Sequence, residues 1–425
     1  MKKITLLLIL LLFCQLSIKS QAMNWVPLTQ TVNFSVFSMA AYNGSMVAVG
    51  LFTNAGGTQV NHVAAWNGST WTAFGQGIRS SVSTVAKVLV FNNEVYVAGR
   101  FDSAGVVASK NIAKWNGSNW VSMAASCNNI IWCLATYNNE IYAAGSFTTI
   151  NGVNASHIAK WNGTAWQAVG AGLQGTNVND LYVYQNELYA VGPIDSAAHI
   201  ACNHIARWNG SAWNTVSTGV PSGNGGLGLY EWQSKLLIGA NTTSLGAEIH
   251  QWDGTNVSLF SQQIGALCYG NFLAFNNKLY NGAIPLVWNT STLLWDSVGT
   301  KIYPVNTFCE YNSELYCAGA FTTTNGSNGN YIAKMGFPTG IKNNTDENFA
   351  MNIFPNPTND KVQMDFENKT LINKVTLSNC LGQLVYVLNN PISKQEIDMS
   401  SFPSGIYFLK AESKERQSFF KIIKE

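Results

Sequence analysis

The sequence predicts an all-β protein: a seven-bladed β-propeller closed by its N-terminal strand, followed by a small C-terminal β-sandwich. Three observations carry that expectation. A tryptophan phrase recurs, Trp66-Asn67-Gly68-Ser69-Thr70-Trp71 in its first full copy, then Trp115 to Trp120, Trp161 to Trp166 and Trp208 to Trp213, before decaying to Trp252-Asp253-Gly254 and to Trp288 and Trp295. A glycine closing an alternating strand recurs at Gly50, Gly99, Gly145, Gly192, Gly239, Gly282 and Gly319, in steps of 37 to 49 residues that suit a four-stranded blade. Only 11% of residues are charged while 12% are aromatic and 37 are glycine, which fits strands joined by many turns.

The chain opens with Lys2, Lys3 and an apolar run from Ile4 to Cys14, then Ser20-Gln21-Ala22, the pattern of a signal peptide over residues 1–22. No later stretch approaches the roughly 18 apolar residues that a membrane span needs, so no transmembrane segment is expected. The propeller is expected over 23–337. Each repeat reads as a strand such as Lys87 to Phe91, a turn at Asn92-Asn93, a second strand from Glu94 to Gly99, a variable loop, a third strand from Asn111 to Trp115 and a fourth from Trp120. The seventh copy runs Tyr331-Ile332-Ala333-Lys334 to Met335 and then lacks a fourth strand. Asn24-Trp25-Val26-Pro27-Leu28 reads as an orphan fourth strand at the other end, and pairing the two would close a ring and remove the open edges.

These repeats are similar to kelch-like or galactose-oxidase-like propeller blades, a resemblance that implies N-terminal strand closure of the same kind. Those blades usually carry Gly-Gly after the second strand, where this chain has Ala98-Gly99, Ala144-Gly145 and Ala318-Gly319.

Residues 338–349 are polar and turn-rich and read as a linker. Beyond it charge is concentrated: 10 of the 24 basic and 10 of the 22 acidic residues fall in 341–425. That shift marks a second domain, a β-sandwich over 350–425. Its landmarks are Phe354-Pro355-Asn356-Pro357-Thr358, Cys380-Leu381-Gly382, Ile397-Asp398-Met399, Pro403-Ser404-Gly405-Ile406-Tyr407 and Lys421-Ile422-Ile423-Lys424. In order and spacing they resemble the type A C-terminal sorting domain of the type IX secretion system of Bacteroidetes. The resemblance implies export through the periplasm to the outer cell surface or medium, with the secretion machinery as partner. It places the sorting motif at Pro355, Asn356, Pro357, Gly382, Gly405, Tyr407, Lys421 and Lys424.

Chemistry is sparse. The formal charge of +2 gives no electrostatic case for nucleic acid. The seven cysteines after Cys14 form neither a C-x-x-C pair nor an even framework, and a two-residue turn at Asn312-Ser313 would set Cys309 opposite Tyr316 rather than Cys317. Glu94, Glu140, Glu187 and Glu314 recur by blade and read as structural; so do His62, His157 and His204, four residues before the third-strand tryptophan. Asp102, Asp180, Asp195, Glu231, Glu248 and Asp296 break the pattern, but nothing pairs them at the separation that glycoside hydrolysis requires. No copper-oxidase constellation, phosphate loop or nucleophile elbow can be assigned. No catalytic residue, metal ligand or cofactor is therefore expected. The function expected is a non-catalytic surface module binding an extracellular glycan or protein through aromatic and neutral polar loops. The alternative is a secreted carbohydrate-active hydrolase or lyase.

Overall fold

The computed structural model describes residues 24–80, 83–217, 219–220, 226–242, 246–263, 271–282, 284–299, 302–324, 327–328, 331–336, 351–366, 372–379, 383–413 and 417–425. The expected signal peptide and linker lie outside them, as do Cys268, Cys380 and Gly382. The described residues form strands and turns with no helix, and the chain divides into two compact units, Met1–Phe337 and Pro338–Glu425.

Among the described residues the first unit contains seven four-stranded antiparallel sheets. In the second of them the strands are Thr84–Phe91, Glu94–Arg100, Ile112–Trp115 and Trp120–Ser122, each paired with the next. Local chemistry explains both turns. The first hairpin closes on two residues of positive φ in every sheet, for example Asn92 (49°) with Asn93 (59°) and Asn312 (51°) with Ser313 (58°), the geometry of a type I′ turn. In the second hairpin Trp66 pairs with Trp71, and the Asn67 carboxamide oxygen accepts the N–H groups of Ser69 and Thr70. That loop is a four-residue Asx-organised turn, so the asparagine acts through its side chain and Gly68 supplies the positive φ.

The recurrent glycine is required sterically. A Cβ on Gly99 would lie 1.9 Å from the Thr84 carbonyl oxygen, and one on Gly319 2.0 Å from that of Pro304. The first strand bulges at this point in most sheets, for example between Val36 and Ser38 and between Ile131 and Cys133, and the bulge drives its backbone against the second strand.

The sheet formed by Val305–Tyr311, Glu314–Gly319 and Ile332–Gly336 takes its fourth strand from Asn24–Pro27, with Trp25 opposite Met335. First strands lie beside one another in chain order, and Val305–Tyr311 also lies beside Val36–Tyr42. Two sets of bonds join neighbouring sheets. The tyrosine ending a first strand donates to the hairpin turn of the next sheet: Tyr137 to Asn186 O (3.2 Å), Tyr184 to Ser234 O (2.7 Å) and Tyr311 to Gly44 O (2.8 Å). The fourth-strand tryptophan donates backwards: Trp120 to Phe74 O, Trp166 to Met123 O and Trp213 to Val169 O, at 2.8 to 2.9 Å. The tryptophan phrase is thus intersheet packing with an indole hydrogen bond, and apolar clusters fill the space between sheets.

The second unit has two sheets around one core. Met351–Phe354, Lys361–Phe366 and Lys394–Asp398 form one; Leu384–Asn389, Lys374–Asn379, Gly405–Glu412 and Gln417–Lys424 form the other. Val362, Met364 and Ile397 from the first sheet meet Val375, Leu377, Tyr407, Leu409 and Ile422 from the second.

Candidate functional site

The recurring charges are consumed by the fold. Glu94, Glu140, Glu187 and Glu314 each pair across the second and third strands with Lys114, Lys160, Arg207 and Lys334, at 2.7 to 2.9 Å. Burial pushes the Glu94 carboxyl up, but hydrogen bonds from Tyr96 and Lys114 and the Lys114 charge outweigh it, so the net shift is downward. The three histidines occupy one backbone position: His62, His157 and His204 have φ of 72°, 72° and 73°, as Asn111 (64°) and Tyr331 (70°) do in their sheets. Burial lowers the pKa of His62 and His157, leaving both neutral at pH 7. Among the described residues no three His, Cys, Asp or Glu side chains gather as a metal site. Cys309 stands opposite Tyr316 and Cys317 opposite Phe308, and both are free thiols.

The six pattern-breaking carboxylates separate into different environments. Asp102 is held by Lys110 and accepts from Ser80, which lowers its pKa. Asp296 accepts from Asn289, while Asp195 and Glu231 are exposed. Glu248 and His250 are buried together on Gly246–Trp252, 3.1 Å apart. His250 stands two residues before its tryptophan, where other sheets have Ala64, Ala113, Ala159 and Ala206.

Asp180 is different. Lys87, Cys133 and Asp180 each stand five residues before the first-hairpin turn, on the first strands of three consecutive sheets. The register brings them together: the charges of Lys87 and Asp180 both act on the buried Cys133 thiol, whose pKa burial drives well up. Asp180 Oδ2 accepts the Leu229 N–H of the next first strand at 3.0 Å. Burial raises the Asp180 pKa, and Lys87 opposes the rise.

The same device repeats two residues on, where the Tyr230 hydroxyl accepts the Ala274 N–H at 2.8 Å. Tyr182, at the equivalent place, has its pKa raised by burial, with Glu231 and Asp180 among its neighbours. Side chains of one sheet thus satisfy the unpaired edge of the next. Trp132, the extra residue of the bulge beside Cys133, is 39% exposed, and its indole N–H is pinned to Ser146 Oγ at 3.0 Å.

The sequence reading nominated Asp180 among scattered carboxylates and missed Lys87, Trp132, Tyr182 and Tyr230. Aligning the first strands on their turns would have exposed them, because equivalent positions hold Ser38, Gly228 and Thr307 in place of Lys87 and Asp180.

A linkage test isolates Asp180. Its raised pKa means that the folded state binds this proton more tightly than the unfolded chain. The associated stability is fully present below the ordinary aspartate range and is lost as pH rises through the folded value. Asp180→Asn retains an acceptor for Leu229 and should unfold at equal or higher urea concentration at pH 7, with a flatter dependence across that window. Urea midpoints measured from pH 3 to 7 check this, and a marked loss of stability at pH 7 would show that the charge is needed.

In the second unit the structure brings the two ends of the expected sorting motif together. Asn356 Nδ2 donates to Lys421 O at 2.6 Å and its Oδ1 accepts the Ile423 N–H at 2.9 Å. Thr358 continues the clasp, donating its N–H to Ile423 O and accepting from the Glu425 N–H. Tyr407 is buried with its hydroxyl on Pro403 O at 2.7 Å. Pro355 and Pro357 follow cis peptide bonds, and Gly405 opens the Tyr407 strand. Lys421 is exposed and Lys424 pairs with Thr358 in a parallel bridge.

Comparison with known proteins supports both units. Residues 352–425 match the family described as "Secretion system C-terminal sorting domain". Residues 138–162, a first hairpin turn through a third strand, match the family described as "Domain of unknown function (DUF5122) beta-propeller". No curated protein matches the chain. Among solved structures, one similar chain is the extracellular domain assigned to a one component system of B. thetaiotaomicron, at 9% identity and a TM-score of 0.48. The alignment covers 96% of this chain and 60% of that one, so this chain spans less than two thirds of its length. No helix among the described residues is long and apolar enough to cross a membrane. The protein has a propeller-like unit and a type IX sorting domain that engages the secretion machinery, and it is secreted or attached at the cell surface.

Proposed function

We propose that the first unit is a seven-bladed ring of the kelch-like or galactose-oxidase-like kind, closed by Asn24–Pro27, and that it is a non-catalytic binding module for an extracellular glycan or protein. Four-strand pairing in all seven sheets, the Tyr311 bond to Gly44 and the bond from Asn306 Nδ2 to Val36 O (2.9 Å) support the ring. One observation carries the binding reading: on the first strands Trp132 presents an open indole fixed by Ser146. A pinned aromatic face among neutral polar loops suits the apolar face of a sugar ring or a peptide side chain. The expected result is binding of the full chain on a glycan or peptide array without turnover, weakened at least about tenfold by Trp132→Ala, a loss typical of one aromatic contact. Undiminished binding by that variant would overturn the assignment.

The alternative, a hydrolase or lyase, draws its support from Asp180, whose raised pKa beside Lys87 and Tyr182 is of the kind used in general acid catalysis. Turnover of a polysaccharide that Asp180→Asn abolishes would establish it over the binding reading.

A further inference from the structure

The inner face of the C-terminal sandwich is filled by its core, whereas the outer face of its four-stranded sheet exposes several large hydrophobic side chains. On Gly405–Glu412 the side chains of Tyr407, Leu409 and Ala411 point into the core. Ile406 and Phe408 alternate with them and are 40% and 43% exposed. Cross-strand register extends this outward set over all four strands. Phe408 stands opposite Ser378 and Lys421, and Ser378 opposite Leu384; Thr376 stands opposite Val387, and Ile406 opposite Ile423. Leu384 and Val387 are 58% and 42% exposed. Four large hydrophobic side chains therefore share this face, with Ser378 and Thr376 between them, and the exposed Lys374 and Lys421 and the Lys410–Glu412 ion pair lie on the same face.

Scattered exposed hydrophobes need no explanation, but a contiguous set on one sheet face marks a surface that another molecule covers. The domain's match to a secretion-system sorting family supplies a partner, since a sorting domain is read by a secretion machinery. The face is also continuous with the C-terminal strand Gln417–Lys424, which contributes Lys421 and Ile423 to it. Lysines embedded in an apolar strip complement a partner surface that is apolar and edged with carboxylates. We infer that this outer sheet face, built on Leu384, Val387, Ile406 and Phe408, is the surface that docks on the secretion machinery, against an apolar receptor surface edged with acidic side chains. The inference rests on the sorting assignment of residues 352–425.

The test uses the full chain expressed in a bacterium that has this export route. The double variant Ile406→Thr with Phe408→Thr puts strand-favouring β-branched residues at both positions and leaves the core side chains unchanged. It should be delivered outside the cell at least tenfold less than the native protein and accumulate in the periplasm, while the purified variant melts within a few degrees of the native protein. Leu384→Thr with Val387→Thr, on another strand, should reproduce the defect independently of local stability. Phe408→Leu, which keeps an apolar side chain, should leave delivery at the native level, and Lys421→Glu should lower it more than Lys421→Gln. Normal delivery of both double variants overturns the inference. So does a defect explained by lost self-association, in which the native protein is a dimer and the variants are monomers. A parallel deletion of 350–425 separates the two levels: if the deleted chain is also delivered normally, the sorting assignment fails, whereas if it is stranded and the double variants are not, only the face is wrong.

Discussion

Trp25→Ala should destabilise the first unit by about 3–5 kcal/mol, the usual cost of emptying a large aromatic site in a core. Trp25 is fully buried between the sheet of Phe272–Asn281 and that of Val305–Gly319, among Phe275, Tyr280, Leu315, Cys317 and Phe321, with its ring 6.2 Å from that of Phe308. The strand that carries it is only Asn24–Pro27, so little else compensates for the lost contacts. The effect should exceed that of removing an exposed indole such as Trp132, which is expected to cost a few tenths of a kcal/mol, as surface substitutions generally do. Urea unfolding of the two variants compares them directly. Equal midpoints would mean that the N-terminal strand adds nothing to the sheet it joins.

The second large effect belongs to Gly99. Its φ lies outside the left-handed region, so alanine meets no torsional penalty; the obstacle is the Thr84 carbonyl oxygen 1.9 Å from the new Cβ, with the Thr84 carbonyl carbon at 2.9 Å. Backbone cannot rotate away as a side chain can, and relief requires separating the first and second strands at the bulge. Overpacking of this kind costs about 1–3 kcal/mol and sometimes more. Gly336→Ala is the matched control, because its Cβ would meet only Val26 Cγ2 at 3.7 Å, an ordinary contact. Thermal melts should show a clear drop for Gly99→Ala and almost none for Gly336→Ala.

Much of the architecture was legible because it repeats. Each type I′ turn, each glycine against a bulge and each Glu to Lys pair is written several times, and repetition lets local signals be read against one another. Two tryptophans flanking Asn-Gly mark a hairpin but not its turn: Asn67 serves as an Asx acceptor, which the pair Asn-Gly does not reveal. The cluster of Lys87, Cys133 and Asp180 was illegible for the opposite reason. Its members are 46 and 47 residues apart and come together only because the first strands of consecutive sheets lie side by side in register. The Glu248 and His250 pair was half visible, since a carboxylate broke the pattern but the histidine replacing a small alanine passed unnoticed. In the second unit the order of landmarks was enough to suggest export, whereas the outward strip of Leu384, Val387, Ile406 and Phe408 depends on cross-strand register that single strands do not disclose.

The Asn356 clasp ties the beginning of the sorting domain to its last residues. Without Lys421 and Ile423 the Asn356 side chain loses both the carbonyl and the N–H that hold it, and without Glu425 the Thr358 carbonyl loses its donor. Order at the domain's leading edge therefore depends on the strand that carries Lys421 and Ile423. Loss of the contacts from Lys421, Ile423 and Glu425 leaves the first landmark unanchored, so two segments far apart in sequence hold one another in place.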